Sequence, residues 1–292
     1  MLLPLSVHWH VDPVLLRLGP LEIRWYGLLF VSGFVIGWYL FKWFFTREKV
    51  DTRLLDPLLY ALLIATIAGA RLGHCLFYQP DYYLGSPEGF LEIFMPWKGG
   101  LASHGGAIAL FLALWWYTRR YGRKNDFDYL WLMDRLGIAI AFAGCLIRLG
   151  NLFNSEIYGD ATSLPWGFIF DLRGETVPKH PTQLYEALSY LILGLVMLWI
   201  YKYRLDKVHR GFFSGLCLLG CFGMRFLIEF IKEPQVAFEE TMLLDMGQLL
   251  SLPLIFLGIG LLVYAARTKK PAAVVHPQPV KKSAAPVAHG LN

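Results

Sequence analysis

The chain has 292 residues, of which 56% are hydrophobic and only 17% are charged, and its formal net charge is +5. Soluble domains carry about 25% charged residues, so this composition excludes an ordinary soluble protein and predicts a polytopic membrane protein. The positive charges lie in short clusters between apolar runs. Such clusters are typical of membrane topology signals, and no nucleic-acid partner is predicted.

Seven apolar runs are each long enough to cross a bilayer, because a spanning helix needs about 20 mostly apolar residues. Backbone groups in lipid satisfy their hydrogen bonds within a helix, so the predicted fold class is an all-α polytopic integral membrane protein with seven transmembrane helices. The third run is the weakest, since it is short and has two glycines near its start. The approximate limits of the runs are 26–46, 57–78, 101–118, 130–151, 183–203, 211–231 and 247–266.

Basic residues follow the odd-numbered runs, whereas the segments after the even-numbered runs contain few. Because positively charged loops stay in the cytoplasm, this bias predicts that the N-terminus lies outside and the C-terminus is cytoplasmic. Segments 79–100 and 152–182 are long and rich in aromatic residues, proline and glycine, so we expect them to form a small head on the outer face. Residues 1–266 are predicted to form the membrane domain, and 267–292 a disordered cytoplasmic tail.

Polar and ionisable residues recur at one depth, in the outer half of the predicted helices. Arg71 is seven residues from the outer end of its run, or about 10 Å at 1.5 Å per residue. His104 lies where the third run begins outside, and Arg148 lies near the outer end of the fourth. Arg225 and Glu229 occupy the outer third of the sixth run. A charge in hydrocarbon costs at least about 2.5–3.5 kcal/mol, so several charges at matched depth predict a shared polar cavity.

Each of these residues also has a purely structural interpretation when it is considered alone. Arg225 and Glu229 are four residues apart on one helix face and neutralise each other as a pair. Arg148 lies close enough to a helix end to reach the lipid headgroups. His104 is equally well explained as a packing histidine, and Tyr26 as a residue of the interfacial aromatic belt. None of these interpretations explains why the residues coincide at one depth.

Two or three arginines in a cavity of this kind suit a phosphate group, because guanidinium groups bind phosphate oxygens in pairs and stay charged. His104 or a carboxylate beside it can move a proton. Hydroxyl groups can bind to the amides of Asn151, Asn154, Gln183 and Gln248. The residues therefore predict an enzyme or a transporter that acts on an anionic lipid in the outer leaflet. No spacing typical of a metal-binding helix occurs, so neither a metal nor a cofactor is predicted.

The end of the fourth run carries a dense pattern made of Arg148, Gly150, Asn151, Asn154, Glu156 and Gly159. Six further blocks occur along the chain: Arg24 to Gly27, Gly69 to Gly73, Trp97 to Gly106, His180 to Glu186, Arg225 with Glu229, and Met246 to Gln248. In order and spacing, this pattern resembles bacterial prolipoprotein diacylglyceryl transferases over nearly the whole membrane region. Ile147 and Leu152 stand where that family usually has glycine and phenylalanine, and Arg24 where histidine is often found.

The resemblance implies that a diacylglyceryl group moves from phosphatidylglycerol to the lipobox cysteine thiol of a preprolipoprotein. A thioether forms and glycerol phosphate leaves. It also implies a multi-pass protein of the bacterial cytoplasmic (inner) membrane, whose active site in the 1–266 catalytic domain faces the outer leaflet. The partners implied are phosphatidylglycerol, signal peptides that bear a lipobox cysteine, and the bilayer.

The resemblance also assigns roles to the residues above. Arg148 and Arg225 are expected to stabilise the charge that develops on the leaving phosphate, and Glu229 to orient Arg225. His104 is the obvious base, although an arginine-rich site can lower the thiol pKa without one, and both alternatives stay open. The predicted catalytic residues are His104, Arg148, Arg225 and Glu229. The predicted substrate-binding residues are Tyr26, Arg71, Asn151, Asn154, Glu156, Gly159, Gln183, Tyr185 and Gln248.

Two other functions account for some of the same features. A transporter or flippase for an anionic lipid or solute predicts internal repeats, broken helices and charges near the midplane. A scaffold protein requires no convergence of charges from six helices. The sequence has no evident repeat and its charges lie to one side of the membrane, so the transferase is the preferred prediction.

Overall fold

The structure, a computed structural model, describes residues 6–19, 21–233 and 244–274. Within these ranges, most residues belong to long helices. These are α1 (Trp25–Arg47), α2 (Leu55–Phe77), α5 (Ser103–Tyr121), α6 (Tyr129–Phe153), α7 (Thr182–Arg204), α8 (Phe212–Glu229) and α9 (Met246–Thr268). Two short helices, α3 (Pro80–Gly85) and α4 (Pro87–Glu92), lie between α2 and α5.

Six of the long helices in the described ranges are apolar and long enough to cross a membrane. Helix α5 is not among them, because His104 and two glycines lie in its first turn and Arg119 and Arg120 in its last. The architecture therefore fits a mostly helical polytopic membrane protein. The seventh spanning helix and the orientation across the bilayer stay predictions.

Side chains at the helix starts explain where two of the long helices begin. The Asp128 carboxylate accepts a hydrogen bond from the backbone N–H of Trp131 and caps α6. Before α9, the Asp245 side chain accepts from the backbone of Gln248, whose own side chain accepts from the backbone of Asp245. Both arrangements satisfy donors that a helix leaves unpaired at its first turn.

Helix α6 is the central helix, since α1, α7 and α8 all pack on it. Helices α2 and α5 form a second closely packed pair, and α8 packs on α9. Glycines make the α2–α5 contact possible: a Cβ atom on Gly73 would lie 2.7 Å from the Cα of Gly105, and one on Gly69 would collide with Ala109. This contact places the start of α5, with His104, against the end of α2.

Four short strands complete the described fold, and the all-α prediction did not include them. They are β1 (Val7–Trp9), β2 (Val14–Leu18), β3 (Leu21–Arg24) and β4 (Phe168–Phe170). Strands β2 and β3 form an antiparallel hairpin, whereas β1 pairs in parallel with β4. The Trp9 indole also donates to the carbonyl of Leu152 at 3.0 Å. The N-terminal residues are thereby attached to the segment that follows α6.

The predicted tail, 267–292, begins inside the last turn of α9. Residues 269–274 continue beyond the helix and contact the loop between α7 and α8, where the backbone N–H of Arg210 donates to the carbonyl of Lys270 at 2.9 Å. The remainder of the predicted tail, 275–292, lies outside the described residues.

Candidate active site

A chain of buried charges connects Arg148 to Arg225. Arg148 forms an ion pair with Glu186 of α7. The other Glu186 oxygen lies 3.4 Å from the Lys232 ammonium, which is also 3.1 Å from the carboxylate of Glu229. The chain ends where Arg225 Nε lies 4.0 Å from the Glu229 Oε2 atom. These five residues, which we call the Arg148 network, hold three cations and two carboxylates.

The network is buried at its centre and more open at its two arginines. The side chains of Glu186 and Lys232 are 1% and 2% exposed, whereas those of Arg148 and Arg225 are 13% and 29% exposed. Buried carboxylates satisfy the buried cations, while the guanidinium groups keep donors at the edge of the cluster. An anion can therefore reach the arginines without displacing the central ion pairs.

The loop after α6 adds a carboxylate held by amides. The Asn151 side chain accepts from Arg148 at 3.2 Å and donates to the Glu156 carboxylate at 2.8 Å. Asn154 donates to the same carboxylate oxygen at 3.2 Å. The backbone carbonyl of Glu156 accepts from the Gln183 amide at 2.7 Å. Four residues predicted to bind substrate thus form one hydrogen-bonded unit around Arg148.

This loop adopts a strained backbone. Ser155 and Ile157 have φ angles of 51° and 61°, in the left-handed region that side chains with a Cβ atom rarely adopt. Such conformations cost of order 1–3 kcal/mol each and persist where surrounding contacts impose them. Here the Arg173 guanidinium donates to the carbonyl of Ser155, and the Thr182 hydroxyl donates to that of Ile157, each at 2.8 Å. The loop is therefore locked around Glu156.

Two glycines of the predicted pattern, Gly150 and Gly159, allow other parts of the chain to pack directly against the backbone. A Cβ atom on Gly150 would lie 2.8 Å from the Tyr26 ring, so Tyr26 packs directly on the end of α6. A Cβ atom on Gly159 would collide with the carbonyl oxygen of Ile231. Tyr26 and Gly159 are thus placed beside the Arg148 network by steric fit.

Three further predicted residues lie around this site in different roles. Gln183 is 1% exposed, and its carbonyl oxygen has no hydrogen-bond partner among the described residues. Gln248 caps α9 and donates to the carbonyl of Phe226 in α8 at 3.5 Å. Tyr185 lies near the start of α7, where its hydroxyl accepts from the Trp166 indole at 2.9 Å. Of the three, only Gln183 has a buried polar atom without a hydrogen-bond partner among the described residues.

The structure does not join Arg71 to this network. Its buried guanidinium donates instead to the backbone carbonyls of Glu92, Ile93 and Gly99, at 2.5, 3.3 and 2.6 Å. It also lies over the Tyr83 ring. Arg71 thereby holds the segment between α4 and α5 against α2.

His104 is likewise separate from the Arg148 network. Its ring is exposed and packs against the rings of Phe77 and Tyr78, at centroid distances of 5.4 and 5.8 Å. In the described part of the chain, neither a hydrogen bond nor an ion pair involves the His104 side chain. The two residues at α2 and α5 therefore form a second group of predicted site residues.

Neither Glu186 nor Lys232 is among the residues predicted to form the site. Glu186 lies three residues after Gln183 on α7, and Lys232 three residues after Glu229. Residues with this spacing share a helix face or the turn that follows it, so these spacings are the signals that could have found both. Their pairing with each other depends on how α7 and α8 pack.

A further charged cluster, made of Tyr158, Glu175, Lys179 and Glu233, lies beside the loop after α6. Burial and a 2.8 Å hydrogen bond to Glu175 raise the pKa of Tyr158 to about 12. Although burial acts to lower it, the Glu233 and Glu175 carboxylates raise the pKa of Lys179 above its ordinary value. These contacts join the loop after α6 and the segment before α7 to Glu233, which follows α8.

An apolar cavity of about 190 Å³ lies between α1, α2 and α6. Phe30, Leu62, Ala143 and Ile147 are among its lining residues. Ile147 directly precedes Arg148, so the cavity reaches the level of the charged site. Its walls suit the hydrocarbon part of an amphipathic ligand.

Comparison with known proteins gives a consistent result. A profile of the prolipoprotein diacylglyceryl transferase family matches residues 13–264. A phosphatidylglycerol–prolipoprotein diacylglyceryl transferase of Tolumonas auensis is 44% identical over 261 residues, which covers 89% of this chain and 98% of the relative. Proteins of the same name from Bacteroides fragilis and Porphyromonas gingivalis are 42% and 45% identical, and each alignment covers 91% of this chain and 97% of the relative.

Proposed function

Because the chain belongs to the prolipoprotein diacylglyceryl transferase family, we propose that the Arg148 network is its active site. The protein transfers the diacylglyceryl group of phosphatidylglycerol to the lipobox cysteine of a preprolipoprotein. The observation that supports this site most directly is that two partly exposed arginines border one buried cluster of ion pairs.

The transfer breaks one bond and forms another at a glycerol methylene carbon. The cysteine sulfur attacks this carbon and forms a thioether, the carbon–oxygen bond to the phosphate breaks, and glycerol phosphate leaves with the bonding electrons. Negative charge therefore grows on the phosphate oxygens. Arg148 and Arg225 stabilise it, because fixed guanidinium donors in a water-poor site act most strongly where charge develops.

The residues around the arginines hold the rest of the headgroup. Asn151, Asn154 and Glu156 form a rigid polar wall, and the unpaired carbonyl oxygen of Gln183 accepts from a glycerol hydroxyl. The acyl chains lie along the apolar cavity that ends at Ile147.

The proposed base for the thiol proton is His104, whose exposed ring lies on the α2–α5 side of the molecule, apart from the Arg148 network. An imidazole nitrogen can accept a proton, which suits this role. The alternative is that the arginine-rich site favours the thiolate directly, so that no protein base is needed.

The site faces the outer leaflet of the bacterial inner membrane, with α5 as a seventh spanning helix. The basic clusters after α1, α5 and α7 support this orientation. A membrane-impermeant thiol reagent should label Lys98→Cys in intact cells and should label Lys124→Cys only after lysis, because the four natural cysteines are buried. The reverse pattern would contradict the orientation.

The activity is tested with purified protein in vesicles that contain phosphatidylglycerol and a lipobox peptide. We expect release of glycerol phosphate and a peptide mass gain equal to one diacylglyceryl group. A peptide with serine in place of cysteine is the matched control and should gain no mass. Folded protein that moves phosphatidylglycerol between leaflets but gives no product would support the flippase alternative.

A further inference from the structure

We propose that Lys232 is a positioning residue for the transfer reaction, which holds the carboxylates of Glu186 and Glu229 together and thereby orients Arg148 and Arg225. The proposal rests on the proposed function of the Arg148 network. It concerns a residue for which the sequence pattern indicated no role beyond a single charge in an outer segment.

The contacts of Lys232 make it the centre of the network. Its ammonium lies 3.1 Å from the Glu229 Oε2 atom and 3.4 Å from the Glu186 Oε1 atom. Glu186 contacts Arg148 through its other oxygen. In the described ranges, Lys232 is the one cation in contact with both carboxylates, so it alone connects the two halves of the site.

Lys232 is too enclosed to touch the substrate itself. Its side chain is 2% exposed, and the side chains of its partners Glu186 and Glu229 are 1% and 7% exposed. Because its ammonium is enclosed by these two carboxylates, it is not placed to take the thiol proton. Its effect on the reaction therefore passes through the arginines.

The charge of Lys232 also affects the balance between positive and negative charges in the site. With Lys232 present, its ammonium and the two arginines offset the carboxylates of Glu186 and Glu229 and of Glu156 nearby. Without it, the carboxylates outnumber the cations, and the site attracts a phosphate less strongly. Two buried carboxylates that lack their shared cation would also draw Arg148 and Arg225 inward. Both effects weaken binding of an anionic headgroup.

The backbone shows how Lys232 reaches this place. Helix α8 ends at Glu229, and the following turn lies against the loop after α6, where the Asp160 N–H donates to the carbonyl of Ile231 at 3.0 Å. A Cβ atom on Gly159 would collide with that same carbonyl oxygen. The last glycine of the Arg148–Gly159 pattern therefore permits the turn that delivers Lys232 to the two carboxylates.

The test compares Lys232→Met, Lys232→Gln and Lys232→Arg with the wild type in the vesicle assay. We expect Lys232→Met to lower kcat/KM about a hundredfold and to raise the KM for phosphatidylglycerol, because truncating one member of a buried charge pair has effects of this size. Lys232→Arg should restore most of the activity. The matched control is Lys270→Met, which removes an ammonium paired with Asp128 at the far end of α6 and should leave KM unchanged.

Each outcome decides the proposal. A wild-type protein without product would overturn the proposed function, whereas an active wild type with an unchanged KM in Lys232→Met would overturn the positioning role alone. A lower melting temperature with unchanged KM would show a merely structural residue. If Lys232→Met does not fold, Lys232→Gln carries the test, since its amide still donates to the carboxylates but has no charge. An unchanged KM in that variant would likewise refute the proposal.

Discussion

The Arg148 network and a second charged cluster lie at opposite ends of α6, and the two differ in how fully their groups are paired. In the second, the Glu48 carboxylate accepts hydrogen bonds from Arg135 Nε, the Trp131 indole, the Tyr201 hydroxyl and the Val274 N–H, at 2.9, 2.8, 2.6 and 2.9 Å. Arg135 is fully buried. We call these residues the Glu48 cluster.

The Glu48 cluster stabilises the fold, because its donors are used by acceptors of the chain itself. The Arg135 guanidinium donates to Glu48 and also to the carbonyls of Trp131 and Ala272. The segment after α9 is thus attached to α1 and α6. A buried cluster whose donors are largely used within the chain has little to offer a ligand.

The Arg148 network has the opposite properties. Arg225 approaches Glu229 only to 4.0 Å, and both arginines are partly exposed. The adjacent loop is strained at Ser155 and Ile157. Incomplete pairing and backbone strain in one place are typical of sites that bind or transform a ligand. Buried charge is therefore common to both clusters, and the degree to which the charged groups are paired is what distinguishes them.

The largest expected effect is a loss of stability when the Glu48 cluster, and not the Arg148 network, is disrupted. Replacement Arg135→Met leaves the buried Glu48 carboxylate without its cation and should lower the free energy of unfolding by about 3–5 kcal/mol. Denaturant unfolding in detergent micelles measures this change. The KM of the remaining folded enzyme for phosphatidylglycerol should equal that of the wild type, and a raised KM would show that the clusters are coupled.

The next prediction concerns substitutions that lower the activity but leave the stability of the protein unchanged. Arg148→Lys and Arg225→Lys keep the positive charge but lose the planar fork, so each should lower kcat by about a hundredfold to a thousandfold. Melting temperatures should change little. The matched control is Arg210→Lys at the other end of α6, where an ion pair with Asp128 is retained. Full turnover in both site variants would exclude their phosphate role.

His104→Gln tests whether the group at α2 and α5 takes part in the chemistry. Loss of a general base lowers kcat by about a hundredfold or more, and the loss should be smaller at high pH, where the thiol ionises unaided. Turnover is measured from pH 6 to 9 with the lipobox peptide. A rate near that of the wild type would favour the arginine-only alternative.

The smallest expected effect concerns the hydrogen bond between Tyr158 and Glu175. Because the pKa of Tyr158 is raised to about 12, its contribution to stability is fully present below pH 10 and is lost as pH rises toward 12. Tyr158→Phe should remove about 1 kcal/mol at pH 8 and flatten the decline in stability between pH 10 and 12. Measuring the free energy of unfolding between pH 8 and 12 checks both expectations. If the decline of stability with pH is the same in Tyr158→Phe and the wild type, the raised pKa of Tyr158 is contradicted.

Much of the helical framework was predictable from local sequence. The seven predicted runs agree with α1, α2 and α5 to α9 within three residues at every end. Asn151, Asn154 and Glu156 were also predictable as a group, since they lie within one turn and loop after Arg148. Hydrophobic runs and short motifs are local features of the sequence. Residues close together at the end of one helix contact each other regardless of how the rest of the chain packs.

Other features required the packed chain. Strand β1 pairs with β4, about 160 residues away, and the contact of Lys232 with Glu186 spans 46 residues. The Glu48 cluster joins α1 to the segment after α9. Local patterns do not show which of these residues pair with each other, because the pairing depends on how distant segments pack.

The sequence by itself determined the membrane class of this protein, the positions of its long helices and the family to which it belongs. Those properties follow from apolar length and from short motifs, which act through neighbouring residues. Only the tertiary structure decided that Arg148 and Arg225 belong to one charge network, that Lys232 connects them, and that Arg71 and His104 lie apart from it. Electrostatic pairing depends on distances of a few ångströms between helices, and these distances are set by how glycines and side chains allow the helices to pack.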